Sequence, residues 1–241
     1  VYQSDTRGML SSDVMSSIQP VRPDIVTPWE SMAAFTTSSY AKGASMLRML
    51  KNVMTPEVFQ RSIQRYLQNF QFSNAETDDL WDVLTAQAAQ EGVTNPDGSP
   101  MDIKEKFDPW VLQSGYPLVR AIRNYNTGSL TLSQSHFNPN NEDWPSSEFG
   151  YSWNVPVSVL NEDDEGTTAP LSAWIDRVPA IILDDVMPSN ASEWYLVNPG
   201  TKFFYRVQYD SQNMENINRQ LLDDHQAFSV ETRAALIEDT F

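Results

Sequence analysis

The chain has 241 residues with 16 basic and 32 acidic side chains, a formal net charge of −16, 40% hydrophobic residues and no cysteine. That charge balance repels phosphate backbones and anionic headgroups, which argues against nucleic acid as a partner, and the lack of thiols excludes disulfides and Cys-based metal sites within the chain. The composition is that of a globular protein with a buried core, and the length suits more than one domain, or one domain and part of another.

Residues from about 30 to 115 read as a helical block. Over residues 44 to 54, Ala44, Leu47, Leu50 and Met54 fall on one face with Met46, Met49 and Val53 beside them, which is helix spacing. Thr55 is the expected N-cap of the next helix, with Pro56 at its first position, Glu57 at the positive end of the dipole and an apolar row of Phe59, Ile63, Tyr66, Leu67 and Phe70. A third helix is expected to start near Thr77, with Asp78 and Asp79 in its first turn and Leu80, Trp81, Leu84 and Ala88 buried, and to close at Asn95-Pro96-Asp97-Gly98. A fourth pattern, Ile103, Phe107, Trp110 and Val111, is expected to end at Gly115 and to kink or unwind locally at Pro109, which removes a backbone donor.

After Gly115 the hydrophobic period falls from 3.6 to 2. The runs Leu118 to Ile122, Ser129 to Phe137, Tyr151 to Val159, Leu171 to Ile175, Trp194 to Val197 and Phe203 to Tyr209 are separated by turn clusters such as Asn126-Thr127-Gly128. Short strands with such punctuation predict a small β-sandwich. From Gln212 the helical period returns, with Met214, Ile217 and Leu221 on one face, and Ser229 caps a last helix carrying Ala234, Leu236, Ile237 and Phe241. Helices, then strands, then helices suggest consecutive domains rather than βαβ units.

No run approaches the roughly 18 apolar residues of a membrane span, and the first residues have neither the basic start nor the apolar core of a signal peptide. The chain begins without a cap and ends inside a helical pattern, so it reads as excised from something longer. One N-glycosylation sequon, Asn190-Ala191-Ser192, hints at an extracellular location.

Few residues offer chemistry. His136 and His225 are far apart, lie outside any H-E-x-x-H spacing, and read as ordinary loop or surface histidines. There is no G-x-S-x-G elbow. The acidic run from Asn161 to Gly166 lacks the spacing of a calcium loop and reads as solvated.

One segment is more specific. Ser39-Tyr40-Ala41-Lys42-Gly43-Ala44-Ser45-Met46-Leu47-Arg48-Met49-Leu50 resembles the S-Y-x-K-G-A-S-x-L-R-M-L segment of the aminopeptidase N family of zinc metallopeptidases. Other matches follow in order: Val26-Thr27-Pro28 with Phe35, Asn74-Ala75 leading to Asp79-Leu80-Trp81, Trp110 to Val119, Leu130 to Phe137, Tyr205 to Asp210, and Thr232 to Phe241. Thr36, Pro109 and Gln208 stand where the family commonly has other residues, an acid in the case of Thr36.

The resemblance implies an α+β multidomain chain. Residues 1–115 would be the C-terminal helical part of a thermolysin-like catalytic domain, 116–210 a β-sandwich domain, and 211–241 the start of an α-helical C-terminal domain. It implies Tyr40 as the hydroxyl that steadies the oxyanion during peptide hydrolysis. It also implies a zinc ion held by residues upstream of residue 1, so that this chain alone should be inactive. Peptides would be the substrates, the rest of the polypeptide a partner, and the plasma-membrane exterior or the extracellular medium the location. The alternatives are a non-catalytic receptor or scaffold ectodomain of the same family, recognising a cell-surface ligand, and a binding module formed by residues 116 to 210 with contact loops at Asn138 to Phe149 and Asn161 to Ala169.

Overall fold

A computed structural model of the chain describes residues 2–164, 166, 169–188 and 190–239. The expectations at Glu165 in the acidic run, at Thr167 and Thr168 in the loop beyond it, and at Thr240 and Phe241 in the last helix lie outside these residues. The described chain is α+β: helices, then small sheets, then helices. None of its helices is long and apolar enough to cross a membrane.

The helical block contains α1 (Tyr2–Ser12), α2 (Pro28–Ala33), a π turn (Ser38–Lys42), α3 (Gly43–Met54), α4 (Pro56–Asn69), α5 (Thr77–Gln90) and α6 (Ile103–Val111). Two of these, α1 and the six-residue α2, were not anticipated. Helix α2 begins at Pro28 because Thr27 and Glu30 form a reciprocal capping box, the hydroxyl accepting from Glu30 N and the carboxylate from Thr27 N.

The expected buried face of α3 is rotated. Ser45, Met46, Met49, Leu50, Val53 and Met54 are buried, while Leu47 stays 43% exposed because it faces an open cleft. Thr55 sits at φ 73° and makes no side-chain cap, so α4 starts on the fixed φ of Pro56 alone. Only Val58 and Ser62 of α4 are fully buried, and Leu67 faces solvent, which makes this helix peripheral within the chain. The N-cap of α5 is Glu76 rather than Thr77; its N–H donates to the Asp79 carboxylate at 2.7 Å.

Helix α6 runs through Pro109 without a break. Proline there removes the N–H that the Glu105 carbonyl would have received. The Asn154 side-chain amide supplies the missing donor, at 2.6 Å from Glu105 O, so nothing is left unpaired and unwinding is unnecessary.

Beyond Gly115 lie β1 (Pro117–Arg123), β2 (Leu130–His136), β3 (Asn154–Val157), β4 (Val159–Asn161), β5 (Ala173–Asp176), β6 (Ala180–Leu183), β7 (Tyr195–Val197) and β8 (Arg206–Tyr209). They form one four-stranded sheet, in the order β6-β2-β1-β8, and two ribbons, β3-β5 and β4-β7. The pair β1-β8 is parallel and the rest antiparallel. The predicted run at 151 to 159 is split between two ribbons, and β6 had not been predicted. Helices α7 (Ser211–Asp223) and α8 (Val230–Glu238) complete the chain, α8 capped by Ser229 as expected.

One apolar core joins the helical block to the strands: Met46, Met49 and Leu50 share it with Trp110, Tyr116, Val119, Trp153 and Phe204. Trp110 and Trp153 meet at 6.0 Å, and the Trp110 indole donates to Asn154 O at 2.8 Å. A smaller core gathers Leu160 and Leu196 of the β4-β7 ribbon and the adjacent Trp194 with Ile217, Phe228 and Leu236 of the last helical segment. This joint rests on burial across both segments, so strands and helices are held together by the dominant favourable contribution to folding.

Candidate functional site

Tyr40 lies inside the π turn rather than at the mouth of α3. The Gly43 N–H reaches back five residues to the Ser38 carbonyl, the hydrogen-bonding pattern that widens a helix by one residue. The start of the turn is tied locally. Thr36 Oγ1 accepts from Ser39 N at 3.3 Å, Ser39 Oγ accepts from Thr36 N at 3.3 Å, and the Ser39 hydroxyl donates to Ala34 O. A threonine at position 36 therefore performs the capping that a carboxylate could perform there.

The Tyr40 ring is 67% exposed, and its hydroxyl has no hydrogen-bond partner among the described residues. It lines an open cleft of about 620 Å³ together with apolar side chains of α3, α5 and α6, among them Leu47, Leu80, Trp81 and Val111, and with Ile25 and Phe35. In the segment from 26 to 35, Val26 is 87% exposed, Trp29 83%, and Met32 and Phe35 67% each.

Two residues farther on, Lys42 points the opposite way and is fully buried. Its ammonium meets Asp13 Oδ2 at 2.9 Å and donates to Gly115 O at 2.8 Å and Gln113 O at 3.2 Å. The ammonium thus has two carbonyl acceptors and one anionic neighbour. Asp13, also fully buried, accepts from Gly115 N through Oδ1 at 3.0 Å, and its Oδ2 has no partner other than the ammonium among the described residues. Gly115 adopts φ +76°, and a Cβ on it would meet His136 Nε2 at 2.6 Å, so this crossroads requires glycine.

His136 is in a strand rather than a loop, and it is half-buried. It ends β2, its ring stacked on Tyr151 at 4.6 Å and edge-on to Trp144 at 4.4 Å. Burial, assisted by the nearby Lys42 charge, pushes its pKa down to about 4. Its aromatic neighbours were too distant in sequence to reveal this setting. His225 lies in a short 3-10 turn, as a loop histidine would. The described acidic residues 161–164 fold on themselves, Asn161 N donating to Asp164 Oδ2 at 2.8 Å and Asp163 N to Asn161 Oδ1 at 2.9 Å.

Among the described residues no group of three or more His, Cys, Asp or Glu side chains could hold a metal ion. What the cleft offers chemically includes the Tyr40 hydroxyl, unpaired among the described residues, on a largely apolar wall. Sequence motifs located Tyr40 and Lys42; Asp13 and Gly115, which complete the buried side of the turn, carried no sign of that role.

Residues 1–110 match the Peptidase family M1 domain. Over 244 residues the chain is 35% identical to the glutamyl aminopeptidase of Sus scrofa, with all of this chain and 24% of the relative aligned. It is 32% identical over 244 residues to the aminopeptidase N of Homo sapiens, covering 99% of this chain and 24% of the relative. Aminopeptidase N of Haemonchus contortus is 31% identical over 237 residues, covering 96% and 24%. The chain spans about a quarter of the length of the curated relatives it matches.

Proposed function

Since the chain belongs to the aminopeptidase N family, we propose that it is part of a zinc-dependent aminopeptidase that removes N-terminal residues from peptides, with Tyr40 as its oxyanion donor. The observation that carries this reading is the partnerless Tyr40 hydroxyl, set on a π turn and exposed to an apolar cleft. As a peptide carbonyl is attacked, its oxygen gains negative charge, and a preplaced O–H donor stabilises that charge more than it stabilises the ground-state carbonyl. Zinc, held by residues outside this chain, would supply the Lewis acidity of the site; this chain alone is then inactive.

On this reading residues 1–115 are the helical end of a thermolysin-like catalytic domain, 116–210 a β-sandwich domain and 211–241 the opening of an α-helical domain. The exposed Val26, Trp29, Met32 and Phe35 fit a face covered by the rest of the polypeptide. Asn190, exposed and with its side-chain oxygen accepting from Ser192 N at 3.1 Å and Ser192 Oγ at 3.0 Å, is accessible for glycosylation and fits an extracellular location.

Tyr40→Phe in the complete protein tests the reading. Turnover of peptide substrates should fall by about 10²–10³ with KM nearly unchanged, because the hydroxyl acts on charge that exists only in the transition state. Unchanged turnover would remove Tyr40 from this role.

A further inference from the structure

We propose that the buried Lys42–Asp13 ion pair is the positioning device for Tyr40, an inference that rests on the oxyanion-donor reading above. Among the described residues the Tyr40 side chain has no hydrogen bond to hold it, so its direction is set by the backbone of the π turn on which it stands. A π turn is a departure from the regular helix and persists where surrounding structure over-determines it. The Thr36–Ser39 bonds tie the start of this turn, and its last residues are held from within.

Lys42 supplies that hold. The ammonium is tied to Asp13, just beyond the end of α1, and to the carbonyls of Gln113 and Gly115, which follow α6. Asp13 is fixed in turn by the Gly115 N–H, closing a ring of contacts through Lys42, Asp13 and Gly115. Both charged side chains are fully buried, and the ammonium lies 5.8 Å from the centre of the Phe204 ring. Buried ion pairs bring little net stability compared with well-packed apolar residues, whereas their geometry is demanding. That balance suits a group that fixes direction. Lys42 is accordingly a positioning residue with no contact to substrate, and Asp13 is its anchor.

The test is a double-mutant cycle in the complete protein, combined with hydrogen exchange of the amides from 36 to 46. Lys42→Met should lower kcat by about 10-fold or more while KM moves less than about 2-fold. In a Tyr40→Phe background the same change should cost less than about 3-fold, because there is no hydroxyl left to misplace. Exchange within Ser38–Lys42 should accelerate while that of α5 does not, a readout independent of metal loading. Asp13→Asn keeps the volume and the acceptor for Gly115, and is the second variant if Lys42→Met fails to fold; it should give the same pattern.

An equal multiplicative loss in both Tyr40 backgrounds, or unchanged exchange in the turn, would overturn the positioning role while leaving the donor role of Tyr40 intact. Unaltered turnover in Tyr40→Phe would overturn both, and is recognised from that single variant.

Discussion

The two sides of the π turn differ as sharply as any two regions of this molecule. Tyr40, on the outer side, is 67% exposed and hydrogen-bonded to nothing described, whereas Lys42, on the inner side, is fully buried, paired with Asp13 and bonded to two carbonyls. The contrast extends outward. Beside Tyr40 the cleft is lined by Ile25, Phe35 and Leu47, each with apolar surface in solvent; around Lys42 lie Asp13, the residues that join α6 to β1, and the Phe204 ring. A rigid dry side and an open uncommitted side within five residues teach that the turn is an adaptor. Packing energy on one side fixes a chemical group on the other.

The comparison is broken most severely from within the dry side. Trp110→Ala should destabilise the protein by about 3–5 kcal/mol, as a fully buried indole in the joint core is removed, seen as a lower midpoint in urea unfolding. Asn154→Leu should cost about 1–3 kcal/mol, since the Glu105 carbonyl loses its donor beside Pro109. In a Pro109→Ala background, where an N–H is restored, the same substitution should cost less; equal costs would refute this account of how the helix tolerates its proline.

A smaller effect follows from His136. Its native pKa of about 4 lies below the ordinary 6.5, so between those values the unfolded chain takes up a proton that the native state refuses. Its contribution is complete above pH about 6.5 and is lost as the pH falls through about 4. The loss should be about 1–2 kcal/mol after allowance for partial exposure, and His136→Phe should flatten the decline in a pH series of unfolding midpoints. The smallest effect belongs to the outer side: Tyr40→Phe should leave the unfolding midpoint within about 0.5 kcal/mol of the parent, because its hydroxyl contributes no bond to the fold. A large shift would mean that the two sides are not separate.

Much of the fold was legible in the sequence because it is written in local signals. The Pro56 start of α4, the Ser229 cap of α8 and the change of period after Gly115 all act over a few residues, and the observed elements follow them, whereas α5, expected to close at Asn95 to Gly98, ends earlier at Gln90. Where local reading failed, a distant partner had intervened. Pro109 was expected to disturb α6, but Asn154 from β3 replaces the missing donor. Leu47 was expected in the core, yet the neighbouring elements cover Met46, Met49 and Val53 instead. His136 was read as a surface residue because nothing beside it in sequence announces Trp144 and Tyr151.

The candidate site divides the same way. The sequence by itself determined that residue 40 is a tyrosine ahead of an amphipathic helix, in a motif shared with the aminopeptidase N family, and that Lys42 and Gly43 follow it. Only the tertiary structure decided that Tyr40 faces out and Lys42 in, and that Lys42 is met by residues 29 positions before it and more than 70 after it. The physical reason is that a helical turn fixes spacing along the chain but not which side is dry. That choice belongs to the packing of α1, α6 and β1 around the turn, and to the cost of burying a charge unless Asp13 and two carbonyls are there to receive it.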